Sequence, residues 1–463
     1  MKKKIIESKY ELLLILLFIA MSITACPLYT INFDEFYTMQ WCRDSLPNFL
    51  HEVLHDTSPF LYYFMIRPFT LLTGQNIFMA RLFSLVALLI LFLIGITFVK
   101  KHFGRKAMFF YLIILYMNPF MLQKSTEIRM YLWATAFTLL SGVFCFYLLS
   151  SPSRKDWIYF TLFSLLSAYT HYYAVLTMVF LYLGILFYYV GSHDTKQIKN
   201  WILCSVITVL AYLPFLLIAA AQILESNGGW IPKPNSRLEP LKELFYSEIP
   251  YSEYFYLTLM AGFTLLSLIA FIKKKHITYY WSFICCCAVW GIAAFGILFG
   301  ELVAPIMLSR YLIMPVCLLF LGISPVVEQV PKYFVLFLCL IFALIGGIRY
   351  QSTVQVEKND RTIDTIRFAQ EQITEDDIII LTSGNDYIYN CTYYYIPQAE
   401  LYYVSSFSTE LLLNDEQHNE FWFFDTGNYL EPDELKKAGL NTEDYGTYQF
   451  GYLFFKIYKI NKI

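Results

Sequence analysis

Apolar runs of about twenty residues recur along the first three-quarters of the chain, each long enough to cross a ~30 Å hydrocarbon core. They lie at 11–30, 76–99, 107–122, 130–150, 157–171, 172–190, 201–223, 253–272, 277–299, 306–326 and 333–350, which predicts about eleven transmembrane helices. The third and fifth runs are short, and the fifth meets the sixth almost without a loop. Past residue 350 the pattern changes. Ile363, Ile366 and Ile373 have helical spacing, Asp377 to Thr382 reads as a buried strand, and Ser383-Gly384-Asn385-Asp386 reads as its turn. Glu420 to Phe424 and Tyr448 to Tyr458 are further strand candidates, and Pro432 to Lys437 opens a short helix. The expected organisation is an all-α polytopic membrane domain over 1–350 and a small α/β domain over 351–463.

Composition agrees. The 463 residues are 57% hydrophobic and 15% charged, against about 25% charged in soluble domains, and the mean hydropathy is +0.50. A net charge of −2 with no long basic tract gives no footing for nucleic acid. There is no Walker-type loop and no GxGxxG, so nothing points to nucleotide chemistry. Most of the ten cysteines sit inside apolar runs and read as small buried hydrophobes. The pairing of Cys26 with Cys42 stays open. Lys2-Lys3-Lys4 followed by Leu12 to Ala20 resembles a signal peptide, and Ile23-Thr24-Ala25-Cys26 a lipoprotein cleavage box. The many later spans would anchor the chain by themselves, so an uncleaved first span is expected.

Charge orients the spans. Lys2, Lys3, Lys4, Lys9, Lys100, Lys101, Arg105, Lys106, Arg154, Lys155, Lys196, Lys199, Lys273, Lys274, Lys275 and Lys332 fall in every second loop. By the positive-inside rule the N-terminus is cytoplasmic. The 31–75 loop, the 224–252 loop and the tail are then extracytoplasmic, in a multi-pass plasma-membrane protein.

Candidate chemistry concentrates on that outer side. Asp34 and Glu35 follow the first span, where a carboxylate pair beside the bilayer is costly unless used; the alternative is a helix cap. His55 and Asp56 come later in the same loop, whose apolar residues suit it to the interface plane. Glu127, Arg129 and Tyr131 mark the next outer junction. Arg129 there either grips phosphate in a bidentate way or snorkels to headgroups. His171 alone reads as a structural residue, and Arg310-Tyr311 repeats the arginine at an outer span end. Charges from five separate places on one membrane face suit a shared site. A transporter would carry them nearer mid-span.

These pieces resemble the GT-C superfamily of membrane glycosyltransferases. The branch is that of the dolichyl-phosphate-mannose-protein mannosyltransferases, which also holds the lipid A aminoarabinose transferase. The residues carrying the likeness are Phe33-Asp34-Glu35, Asp56-Thr57-Ser58-Pro59-Phe60-Leu61-Tyr62-Tyr63 and Ala80-Arg81-Leu82-Phe83-Ser84. They continue in order with Glu127-Ile128-Arg129-Met130-Tyr131, Tyr169-Thr170-His171-Tyr172-Tyr173 and Ser309-Arg310-Tyr311-Leu312. Ser58 departs from the pattern, since relatives often have His or Pro there.

The resemblance implies a GT-C fold and transfer of a sugar, with inversion, from a polyprenyl-phosphate carrier to an acceptor hydroxyl on the outer face. It makes Asp34 the general base, with Glu35 beside it, and gives His55, Asp56, Glu127, Arg129, Tyr131, His171, Arg310 and Tyr311 to substrate binding. The partners implied are a lipid-linked sugar donor and a glycan, lipid or protein acceptor. No cofactor and no metal ligand are expected, although other GT-C enzymes hold a divalent cation near such acids. The competing readings are a polytopic transporter or lipid flippase, an O-antigen polymerase or ligase, and a membrane-anchored binding or assembly protein.

Overall fold

A computed structural model describes residues 2–56, 58–225, 231, 233–382, 386–404, 408–415, 417–427, 430 and 432–463. The chain divides into two compact units. One holds Met1–Cys26 and Trp41–Thr353, the other Pro27–Gln40 and Val354–Ile463.

The first unit is helical, and the chain is a polytopic membrane protein. Among the described residues eight helical stretches are long and apolar enough to cross a bilayer, not the eleven expected. The difference has local causes. The runs at 76–99 and 107–122 form one continuous stretch, Ile77–Tyr116, that Gly104 breaks with φ 84° and ψ 174°. Only glycine enters that region without a Cβ penalty. The second arm turns back, so that Tyr111 Oη donates to the Leu91 carbonyl at 3.1 Å. The 157–171 run is the helix Arg154–Ala168, too short at fifteen residues to cross the bilayer on the same measure. The first run lies in the helix Lys2–Thr24.

Position in the bundle is set by small and hydroxyl residues, since lipid is as apolar as leucine and gives helices no hydrophobic reason to associate. The spans Tyr131–Ser150 and Ser309–Val327 are the most enclosed, and Thr195–Ile218 is largely exposed along its apolar length. At Gly142 a Cβ would come within 2.6 Å of Leu318 Cδ1, so the leucine tip packs into the space the glycine leaves. The Gly142 carbonyl accepts the Trp281 indole N–H at 2.8 Å. Ser282 donates to the Gly322 carbonyl at 2.6 Å, and Thr138 meets Ser167 at 2.7 Å.

Basic side chains tie one end of the bundle together. Buried Glu11 pairs with Lys100 at 2.7 Å and Arg105 at 3.3 Å, which offsets the cost of a carboxylate in a span. Lys106 donates to the carbonyls of Glu328 and Val330, at 2.6 and 2.9 Å. Lys274 reaches Gln329 at 2.8 Å. Cys26 and Cys42 are both buried.

The second unit is a five-stranded sheet, β1 (Ile378–Thr382), β2 (Glu400–Val404), β3 (Glu420–Asp425), β4 (Leu440–Phe450) and β5 (Leu453–Lys462), in the order β2-β1-β3-β5-β4. The first three run parallel, and β5 is antiparallel to β3 and β4. All five residues of β1 are buried, as a strand covered on both faces requires. Ile378, Ile380, Phe421, Phe423, Tyr458 and Ile460 meet in the core. The expected strand Tyr448 to Tyr458 covers the end of β4, the two-residue turn and the first part of β5, with Tyr448 opposite Phe455. The expected turn at 383–385 lies outside the described residues. The segment Pro27–Gln40 joins this unit through Phe36, whose ring lies edge-on to Tyr393 and Tyr394 at 6.2 and 6.5 Å.

Candidate active site

In the first unit the chain leaves a helix at Tyr116, makes one turn over Met121–Lys124, and runs irregularly to Tyr131. Buried backbone must find partners, and here side chains of the preceding helix supply them. Arg81 donates to the Thr126 carbonyl at 3.3 Å, and Ser84 to that of Glu127. Arg129 is thereby held, 9% exposed, at the mouth of the helix Tyr131–Ser150.

Arg129 Nη1 donates to Tyr63 Oη at 3.2 Å, and Tyr63 Oη donates to Asp56 Oδ2 at 2.7 Å. The hydroxyl thus relays between a guanidinium and a carboxylate more than seventy residues away in sequence. Burial raises the Tyr63 pKa well above the ordinary range, with Arg129 pulling it down and Asp56 pushing it further up. Tyr63 therefore stays a neutral donor. The helix that carries it, Leu61–Leu72, is docked by the Leu61 N–H on the Tyr169 carbonyl at 3.0 Å. Lys124 pairs with Glu127 at 2.7 Å and sits 5.2 Å from the centre of the Tyr131 ring.

His171 caps the helix Tyr172–Gly191, its Nδ1 accepting the Tyr173 N–H at 3.1 Å. That bond leaves the proton on Nε2. Burial, then Arg129 and Arg310, push its pKa down to about 3. Its ring lies 5.7 Å from Tyr131 and 5.0 Å from Tyr311, and the Arg310 guanidinium is 5.8 Å from the Tyr311 ring. Tyr173 Oη donates to the Ile306 carbonyl at 2.7 Å, fixing the chain that leads into Arg310.

Asp56, Glu127, Arg129, Tyr131, His171, Arg310 and Tyr311 therefore lie in one buried or half-buried group, in which Lys124, Arg129 and Arg310 face the carboxylates of Asp56 and Glu127. Such an excess of fixed donors in a low-dielectric setting suits an anion. His55 is not part of it. Its ring is exposed, bonds the His51 carbonyl of its own helix at 2.7 Å and stacks on His51 at 4.3 Å. Tyr63 and Lys124 were not expected as site residues. Tyr63 could have been found from its place in the Asp56-to-Tyr63 stretch already singled out in the sequence.

Asp34 and Glu35 open the helix Phe33–Arg43. Glu35 is buried and makes a reciprocal cap. Its carboxylate accepts the Asn32 N–H at 3.0 Å while Asn32 Oδ1 accepts the Glu35 N–H at 2.9 Å. Asp34 is half-buried in the same turn, and its carbonyl accepts the Thr38 hydroxyl at 3.1 Å. Among the described residues no three His, Cys, Asp or Glu side chains gather as a metal centre would require.

The architecture is the one expected from the sequence, a polytopic helical bundle with a small α/β unit. Among solved structures it is similar to ArnT from Cupriavidus metallidurans in the apo state, with a TM-score of 0.62 and 11% identity over 98% of both chains. The same protein bound to undecaprenyl phosphate matches with a TM-score of 0.63 and 12% identity, over 97% of this chain and 98% of that one. At such identity the likeness is one of fold. No family model matches the sequence, and no curated protein does.

Proposed function

We propose that this protein is an inverting glycosyltransferase that moves a hexose or pentose from a polyprenyl-phosphate carrier to an acceptor hydroxyl on the extracytoplasmic face. The observation that carries the reading is the pair of buried Arg129 and half-buried Arg310, whose charges both act on a neutral His171. Two fixed guanidiniums at span ends suit the phosphate of a lipid whose tail stays in the bilayer. The likeness in fold to a protein crystallised with undecaprenyl phosphate supports the same class of donor.

In this reading Asp34 takes the proton from the acceptor hydroxyl as its oxygen attacks the anomeric carbon. The bond from that carbon to the carrier phosphate breaks on the opposite side, which inverts the centre. The phosphate leaves with the electron pair, and Arg129 and Arg310 hold the charge as it develops. Tyr63 keeps Arg129 aimed, and Glu35 holds the turn that carries Asp34.

The test uses the full chain in nanodiscs with a panel of undecaprenyl-phosphate hexoses and pentoses and a cell-envelope extract as acceptor. Release of undecaprenyl phosphate together with a glycosylated product supports the proposal. Movement of intact donor across vesicles without any covalent product assigns the chain to transport instead.

A further inference from the structure

The two basic span ends at 273–275 and 328–332 border a groove that the proposed reaction does not use. It occupies about 760 Å³ between the helices Ser252–Lys274 and Lys332–Lys358. Its floor is the buried Phe263, Val326 and Leu338, and its walls are the exposed Leu266, Phe334 and Phe337. Gly262 lies in the lining, and a Cβ built there meets nothing within 4 Å, so the wall is open. A void of this size facing a bilayer would forfeit dispersion contacts on every wall unless a chain fills it.

One end of the groove is charged. Lys273 and Lys274 line it beside Gln329 and Pro331. Lys274 Nζ donates to Gln329 Oε1 at 2.8 Å and Tyr279 Oη at 3.3 Å, both neutral groups that hold the ammonium without cancelling its charge. Lys106 stands behind, on the Glu328 and Val330 carbonyls and 4.0 Å from the Glu328 carboxylate. The span Ser309–Val327 starts at Arg310 and ends next to this rim, so the groove opens at the opposite membrane face from the arginine site.

We propose that the groove binds one anionic phospholipid, with an acyl chain between the two helices and the headgroup phosphate at Lys273 and Lys274. The apolar walls exclude a soluble anion, and the lysines select among lipids by charge.

Native mass spectrometry of the full chain tests this, with dioleoyl-phosphatidylglycerol and dioleoyl-phosphatidylcholine titrated in parallel. Wild type is expected to retain one phosphatidylglycerol with roughly 10–30-fold preference, the scale of two lysines near a membrane surface. K273Q/K274Q is expected to erase the preference, and K273R/K274R to keep it. Gly262→Leu, which grows into the open wall, is expected to lose the lipid altogether with its thermal melting retained; should that variant not fold, the lysine pairs decide. The proposal fails if phosphatidylcholine is held equally, or if K273Q/K274Q keeps the wild-type preference. It fails too if undecaprenyl phosphate displaces the bound lipid one for one. None of these outcomes depends on glycosyl transfer.

Discussion

Two charged stretches, each next to an apolar span, end in opposite physical settings. Around Arg129 the charges are buried or half-buried, drawn from four separate parts of the first unit and held by long-range bonds such as Arg129–Tyr63–Asp56. Around Asp34 the charges are local: Glu35 is engaged with Asn32 three residues back, and Asp34 is half-buried in the first turn of its helix. Neighbouring carboxylates thus differ in what they can do. One is committed to the backbone, and the other is the carboxylate proposed to take the proton. The arginine cluster, by contrast, surrounds a histidine that stays neutral down to about pH 3.

The sharpest way to break this contrast is Asp34→Asn. It is expected to lower single-turnover sugar transfer by about 10²–10⁴-fold, the usual worth of general-base assistance, with undecaprenyl-phosphate binding unchanged. Glu35→Gln keeps an acceptor oxygen for the Asn32 N–H, so its expected cost is about 1 kcal/mol of stability, that of a weakened cap, with transfer within a few-fold. Equal loss in the two variants, at saturating donor, would erase the distinction between them.

Next in size come Arg129→Ala and Arg310→Ala. Each is expected to weaken undecaprenyl-phosphate binding by about 1.5–3 kcal/mol, the scale of a charge-assisted hydrogen bond, and Arg129→Ala by more. Binding isotherms in nanodiscs check it, and wild-type affinity in both variants would reduce these arginines to headgroup anchors.

Tyr63→Phe removes only the hydroxyl between Arg129 and Asp56. The expected loss is about 1 kcal/mol in the same isotherm, smaller than for Arg129→Ala because the guanidinium remains. A loss in Tyr63→Phe as large as in Arg129→Ala would mean that positioning, not charge, dominates.

The smallest effect concerns pH. A histidine pKa depressed from 6.5 to about 3 means the folded ring stays neutral while an unfolded one would protonate below about 6.5. Its contribution to stability is therefore complete above pH 6.5 and is lost as the pH falls from there toward 3. Undecaprenyl-phosphate binding between pH 5 and 8 is expected to have the same profile in wild type and His171→Gln. An inflection near pH 6.5 that disappears in the variant would show a protonated His171 in the site.

Much of this was legible in one dimension. Apolar runs, strand Ile378–Thr382 and the helix at Pro432 depend on neighbours a few residues apart, so periodicity reports them. Arg129 and Arg310 could be singled out because a charge at an apolar span end is costly wherever the helices go. His55 could not be judged that way. Its sequence neighbours resemble those of Asp56, yet it turns back on its own helix while Asp56 turns to Tyr63.

The sequence by itself determined the class of structure, a membrane bundle followed by an α/β unit, because hydrophobic length and alternation act locally on each segment. Tertiary structure decided which charges meet. The fold-back at Gly104, the leucine admitted at Gly142 and the docking of Leu61 on Tyr169 depend on packing between residues far apart in the chain. Those contacts bring Asp56, Tyr63, Arg129, His171 and Arg310 into one group, where burial and the two arginines keep His171 neutral.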